Sequence, residues 1–106
     1  MKKATFVIGL TTLFLLAAVL SFAHTPICAC YGNGDGSITC EGGFSDGSSA
    51  AGVGMRVVSE DGKVLIQGKM DPDSEFTFKR PSGPFKVQFD AGEGHLVEVE
   101  GKEIVD

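Results

Sequence analysis

From residue 37 onward, apolar and polar residues alternate in short runs, and turn-forming residues close each run. In Glu75–Lys79, Phe76 and Phe78 fall on one side and Glu75, Thr77 and Lys79 on the other. In Phe85–Asp90, Phe85, Val87 and Phe89 share a side. A period of two marks a strand buried on one face, and no stretch after the N-terminal segment has helical periodicity. Ser37–Phe44, 55–59, Val64–Lys69 and Leu96–Glu100 read as further strands. Between them lie turn signals: a small-residue loop over 45–54, Glu60-Asp61-Gly62, Asp71-Pro72-Asp73-Ser74, Pro81-Ser82-Gly83-Pro84 and Ala91-Gly92-Glu93-Gly94. This spacing predicts an all-β chain, a small antiparallel β-sandwich of about seven strands. Its expected core is Ile38, Val57, Leu65, Phe76, Phe78, Phe85, Val87, Phe89 and Val99. With 106 residues there is room for one such domain.

The segment ahead of these strands is of another kind. Lys2 and Lys3 precede an apolar run from Phe6 to Leu20, and Ser21-Phe22-Ala23 puts small residues at the −3 and −1 positions of a cleavage point. Residues 1–23 therefore read as a signal peptide, and the chain as exported to the periplasm or secreted. The competing reading is an uncleaved anchor, since the run beginning at Ala4 approaches the about 20 residues a membrane span needs. Thr25-Pro26-Ile27 before Cys28 lacks the small residue of a lipoprotein site. The expected organisation is a leader over 1–23, a Cys-containing segment over 24–36 and the sandwich over 37–106. Removing the two leader lysines leaves seven basic against 14 acidic groups, net −7. That charge repels nucleic acid and anionic lipid, so neither is expected as a partner, and membrane contact is expected only through an uncleaved leader.

Export governs how the three cysteines are read. In an oxidising compartment Cys28, Cys30 and Cys40 predict one disulfide and one remaining thiol. A Cys28–Cys30 ring is too tight to be favoured, so Cys40 is expected to pair with Cys28 or Cys30. The alternative, three thiolates on a metal, lacks the C-x2-C spacing of zinc knuckles.

The region from Gly43 to Glu98 resembles the carboxypeptidase regulatory-like family, the transthyretin-like or prealbumin-like sandwich. The residues that carry the likeness are Gly52-Val53, Asp61-Gly62-Lys63-Val64-Leu65, the run from Asp71 to Phe78, and Pro81-Ser82-Gly83-Pro84-Phe85-Lys86-Val87. Ser74 departs from the pattern, which has glycine before the Phe-x-Phe strand. The resemblance implies a sandwich and a binding, packing or transporter-accessory role without an activity. The chain is also similar to exported sandwich subunits that accompany nickel and cobalt uptake transporters. None of their metal motifs is matched residue by residue, so this similarity implies a role and no site.

Chemistry-bearing residues are few. Cleavage after Ala23 would make His24 the mature N-terminus, where an α-amine and an imidazole chelate together, and His95 offers a third nitrogen. Such a donor set suits Cu(II), Ni(II) or Co(II), with copper tightest. Asp90 or Glu93 would add an oxygen and Cys28 a softer ligand. Asn33-x-Asp35-Gly36 has part of a calcium-loop pattern, but Tyr31 and Gly42 stand where carboxylates are required. No nucleophile elbow, zinc-protease helix or phosphate loop is present, so an enzyme is not expected. The sequence thus predicts an exported metal carrier or transporter accessory, partnered by a metal ion or a membrane transporter. The alternative is a non-catalytic structural or interaction module of the cell envelope.

Overall fold

A computed structural model describes residues 25–106; the leader and His24 lie outside the described residues. Seven strands follow one another: β1 (Pro26–Gly32), β2 (Ser37–Phe44), β3 (Gly54–Ser59), β4 (Val64–Lys69), β5 (Glu75–Lys79), β6 (Phe85–Asp90) and β7 (Leu96–Glu100). A single 3-10 turn, Gly101–Glu103, follows β7. The strands form two antiparallel sheets, one ordered β1-β2-β5 and the other β4-β3-β6-β7. No helix among the described residues is long and apolar enough to cross a membrane.

The alternation seen in the sequence sets the core. Phe85, Val87 and Phe89 of β6 are buried, as are Met55 and Val57 of β3, with Ile38 and Cys40 of β2 facing them. Phe78 packs edge-on to Phe85, with ring centres 6.3 Å apart. Two glycines mark where the layers come closest. A Cβ on Gly42 would meet the Phe89 ring at 2.6 Å, and one on Gly68 would meet the Phe76 ring at 2.6 Å. Neither position has room for a side chain unless a ring moves.

Two expectations need correction, and the departure at Ser74 finds its physical reason. The segment 24–36 is not merely an N-terminal extension, because β1 occupies Pro26–Gly32 and pairs along its whole length with β2. Its alternation is hidden by composition: the inward residues are Pro26, Cys28, Cys30 and Gly32, none of them a typical strand core residue.

Leu65 is not core. β3 and β4 change register between Val57 and Val58, which pair with Ile66 and Val64, so Leu65 is the extra residue of a β-bulge. It is 43% exposed, and Ile66 takes the inward position instead.

Ser74, the departure from the glycine pattern, has φ 61°, the one non-glycine residue with positive φ among those described. This is the left-handed region that glycine fills without strain. Hydrogen bonds fix the serine there: Ala50 N donates to its Oγ (2.9 Å) and Gly42 N donates to its carbonyl (2.9 Å).

Candidate metal sites

The 91–95 connection between β6 and β7 holds His95. It closes tightly, with His95 N donating to Gly92 O (2.9 Å) and Ala91 N donating to His95 O (3.2 Å). The imidazole is exposed, and its Nδ1 lies 3.0 Å from the Glu93 carbonyl oxygen. A carbonyl oxygen only accepts, so Nδ1 carries the hydrogen and the neutral ring keeps its lone pair on Nε2. That backbone contact fixes the tautomer and ring direction as second partners do for metal-ligating histidines.

The chain's described start lies at the same end of the sandwich. Thr25 N donates to Ser45 Oγ (3.1 Å), and Thr25 O accepts from Ser45 N (2.9 Å). Phe44, the cross-strand partner of Pro26, packs on Phe89 with ring centres 6.2 Å apart. Phe89 is followed by Asp90 and then by the His95 connection, so Thr25 and His95 share a pole.

The proposed oxygen ligands are less free. Asp90 accepts from Arg56 Nη2 (3.2 Å) on one oxygen and from Gly92 N (3.1 Å) on the other. Its carboxylate is thus already committed to bracing the loop that carries His95. Asp90, Glu93 and His95 do not converge on a common point.

The cysteines do converge. Cys30 and Cys40 are direct cross-strand partners and form a disulfide, with Cα atoms 4.0 Å apart. Cys28 is two residues away on the same face of β1, opposite Gly42, and is a free thiol. The three sulfurs lie within 4.8 Å of one another, the one cluster of three candidate ligands among the described residues. Burial pushes the Cys28 thiol up to about 11, which keeps it protonated and unreactive at neutral pH. The C-x-C spacing carried this information, because residues two apart share a strand face. The signal stays invisible unless 26–32 is read as a strand. A disulfide belongs to an oxidising, extracytoplasmic environment.

Other acidic residues have local duties. Asp35 accepts from Ser37 N (2.9 Å) and Ser37 Oγ (2.6 Å), and these bonds hold its carboxyl below the usual range. The calcium-like Asn33-x-Asp35-Gly36 is thus a side-chain-closed turn. Asp71 likewise accepts from Asp73 N and Glu75 N.

Glu75 sits opposite Glu41 in the β2–β5 register. Desolvation first, then the charges of Asp71, Glu41 and Asp73, push its carboxyl above the ordinary value. A raised folded value means that the ionised form costs stability at neutral pH. That cost fades as pH falls through the raised value and is gone below the ordinary glutamate range. Glu75→Gln is therefore expected to raise the melting temperature at pH 7 and to leave it unchanged in acid, as a pH series of thermal melts would read.

Comparison with family models, curated proteins and solved structures finds no match to this chain.

Proposed function

We propose that the chain is an exported, non-catalytic β-sandwich of the periplasm or extracellular space. In this reading it binds a late divalent transition metal, Cu(II), Ni(II) or Co(II), as a carrier or transporter accessory. The observation that carries it is the exposed His95 imidazole, held through Nδ1 by a backbone carbonyl so that Nε2 keeps its lone pair, at the pole where Thr25 begins. His24 directly precedes Thr25 in the chain, and cleavage after Ala23 would give it a free α-amine beside its imidazole. Amine and imidazole on one residue chelate with little loss of freedom, and His95 supplies a third nitrogen from a braced loop. The positive φ of Ser74, where the transthyretin-like pattern has glycine, supports the family resemblance through the same turn conformation.

Titration of Cu(II) or Ni(II) into protein beginning at His24 tests the reading. One equivalent is expected to bind, and protons compete for the nitrogen ligands, so affinity should fall as pH is lowered. An extra Met ahead of His24 removes the chelating amine without changing the acidic body. If that form and His95→Ala bind as the parent does, the ion rests on surface carboxylates and this site does not exist.

The alternative, an envelope interaction module, draws on edge strand β4, where Val64 (47% exposed) and Leu65 (43%) face solvent side by side. An exposed apolar edge invites strand pairing with another chain. Leu65→Lys would abolish capture of an envelope partner while leaving metal titrations unchanged.

A further inference from the structure

The Cys28, Cys30 and Cys40 cluster takes in no histidine among the described residues and does not depend on the proposed histidine site. The sequence spacing C-x-C-x9-C gives no zinc-knuckle pattern, but the sheet register does what spacing alone does not. Period two puts Cys28 and Cys30 on one face of β1, and antiparallel pairing puts Cys40 directly across from Cys30. The result is a triangle of sulfurs with no edge longer than 4.8 Å. A metal with sulfur bonds of about 2.3 Å holds its sulfurs roughly 3.8–4.0 Å apart. Parting the disulfide lets the Cys30 and Cys40 sulfurs relax toward that separation without a change of strand register.

We propose that the dithiol form of this protein binds one Cu(I) ion through the Cys28, Cys30 and Cys40 sulfurs, and that the Cys30–Cys40 disulfide closes the site. The opening step balances with an external dithiol. Its two thiols become a disulfide as the Cys30–Cys40 bond breaks, and two electrons and two protons pass to the two cysteine sulfurs. Cu(I) then replaces the thiol protons of the residues it binds. Thiolates select soft ions, and Cu(I) is satisfied by three sulfurs, whereas structural zinc takes four ligands. Among the described residues, no imidazole or carboxylate joins the cluster to supply the fourth. The neighbourhood is itself soft: Gly42, opposite Cys28, has the Met70 methyl 3.0 Å and the Phe89 ring 2.6 Å from where a Cβ would stand. Cys40 is fully buried while Cys28 and Cys30 are half-buried, so a reductant reaches the disulfide from the β1 side and the anionic complex keeps contact with water.

The test is an anaerobic Cu(I) titration of the full mature protein against a coloured Cu(I) chelator, with and without prior reduction by a phosphine. Reduced protein is expected to take one equivalent, and oxidised protein to take none at that affinity. Loss of a ligand's outer partner alone weakens metal binding about 10–100-fold, so Cys28→Ser, which leaves the disulfide pair intact, should weaken Cu(I) at least about 100-fold. His95→Ala should have no effect, which separates this site from the histidine pole. Thermal melts guard against binding by an unfolded chain, because an ion held by the folded state raises the melting temperature of the reduced protein. Equal Cu(I) affinity in the oxidised protein or in Cys28→Ser overturns the proposal, as does Zn(II) bound as tightly as Cu(I), or binding without a rise in melting temperature.

Discussion

Phe89→Ala is expected to lower the unfolding free energy by about 3–5 kcal/mol, the range for truncating a fully buried aromatic ring. Phe89 is 0% exposed on β6, with β3 and β7 paired to either side of it. Its ring packs on Phe44 and lies over Gly42, where a Cβ would already meet it at 2.6 Å. The glycine opposite has nothing to move into the space, so the cavity collapses poorly and the cost falls toward the upper end. For a domain whose total stability is about 5–15 kcal/mol, such a loss brings the folded state close to failure. Leu65→Ala is the control, because an exposed bulge residue of similar hydrophobicity should change stability by no more than about 0.5 kcal/mol. Urea unfolding of the two variants reads both numbers. Equal costs would mean that the bulge and the core face of β4 are wrongly assigned.

The contrast between Phe89 and Leu65 shows where the sequence was readable. Strands β5 and β6 alternate bulky aromatic residues with charged ones, so the buried face is legible at once. In β4, Val64-Leu65-Ile66 is a continuous apolar run, and periodicity alone cannot choose its inward member. A bulge, which belongs to the pairing of β3 with β4, made the choice. Strand β1 was hidden for the opposite reason, since proline, cysteines and glycine occupy its inward positions and no large apolar residue advertises the face. The Ser74 turn was half legible. The departure from glycine was visible in the sequence, but the hydrogen bonds to Ala50 and Gly42 that compensate a left-handed serine exist only in the folded chain.

The candidate sites divide along the same line. His95 was legible as an isolated ligand in a glycine-rich loop, and the structure adds the carbonyl contact that fixes its ring. The sequence offers Asp90 as a ligand by proximity, yet it sits on the outer face of β6 beside Arg56 of the neighbouring strand β3, and cross-strand pairing claims it. Charge complementarity across a sheet depends on register, which one chain segment read alone does not contain. The cysteine cluster depends on register entirely, which is why three residues expected to give one disulfide and a spare thiol form a compact triangle.

Removal of the disulfide, by Cys30→Ala together with Cys40→Ala, is expected to cost about 2–3 kcal/mol through the chain entropy returned to the unfolded state. The bond closes a loop with a sequence separation of 10, short enough that the constraint is moderate. Its location makes the loss visible, because β1 is an edge strand bonded along one side to β2. Beyond that pairing β1 is tied by the Gly32 N bond to Val105 O (2.9 Å) at one end, by the Thr25–Ser45 bonds at the other, by the Tyr31 hydroxyl donating to Glu41 Oε1 (3.2 Å), and by Cys28 and Cys30 packing on the core. Opening of β1 should therefore precede global unfolding in the variant, and amide exchange along Pro26–Gly32 should accelerate before that of β3 or β6. Reduced wild-type protein separates the two contributions. It keeps every core atom, so its loss relative to the oxidised form measures the cross-link alone, and the further loss in the double alanine variant measures the removal of the Cys30 and Cys40 sulfurs from the core. If the reduced protein and the variant both melt with the oxidised wild type and β1 amides stay protected, the cross-link is not what secures this edge strand.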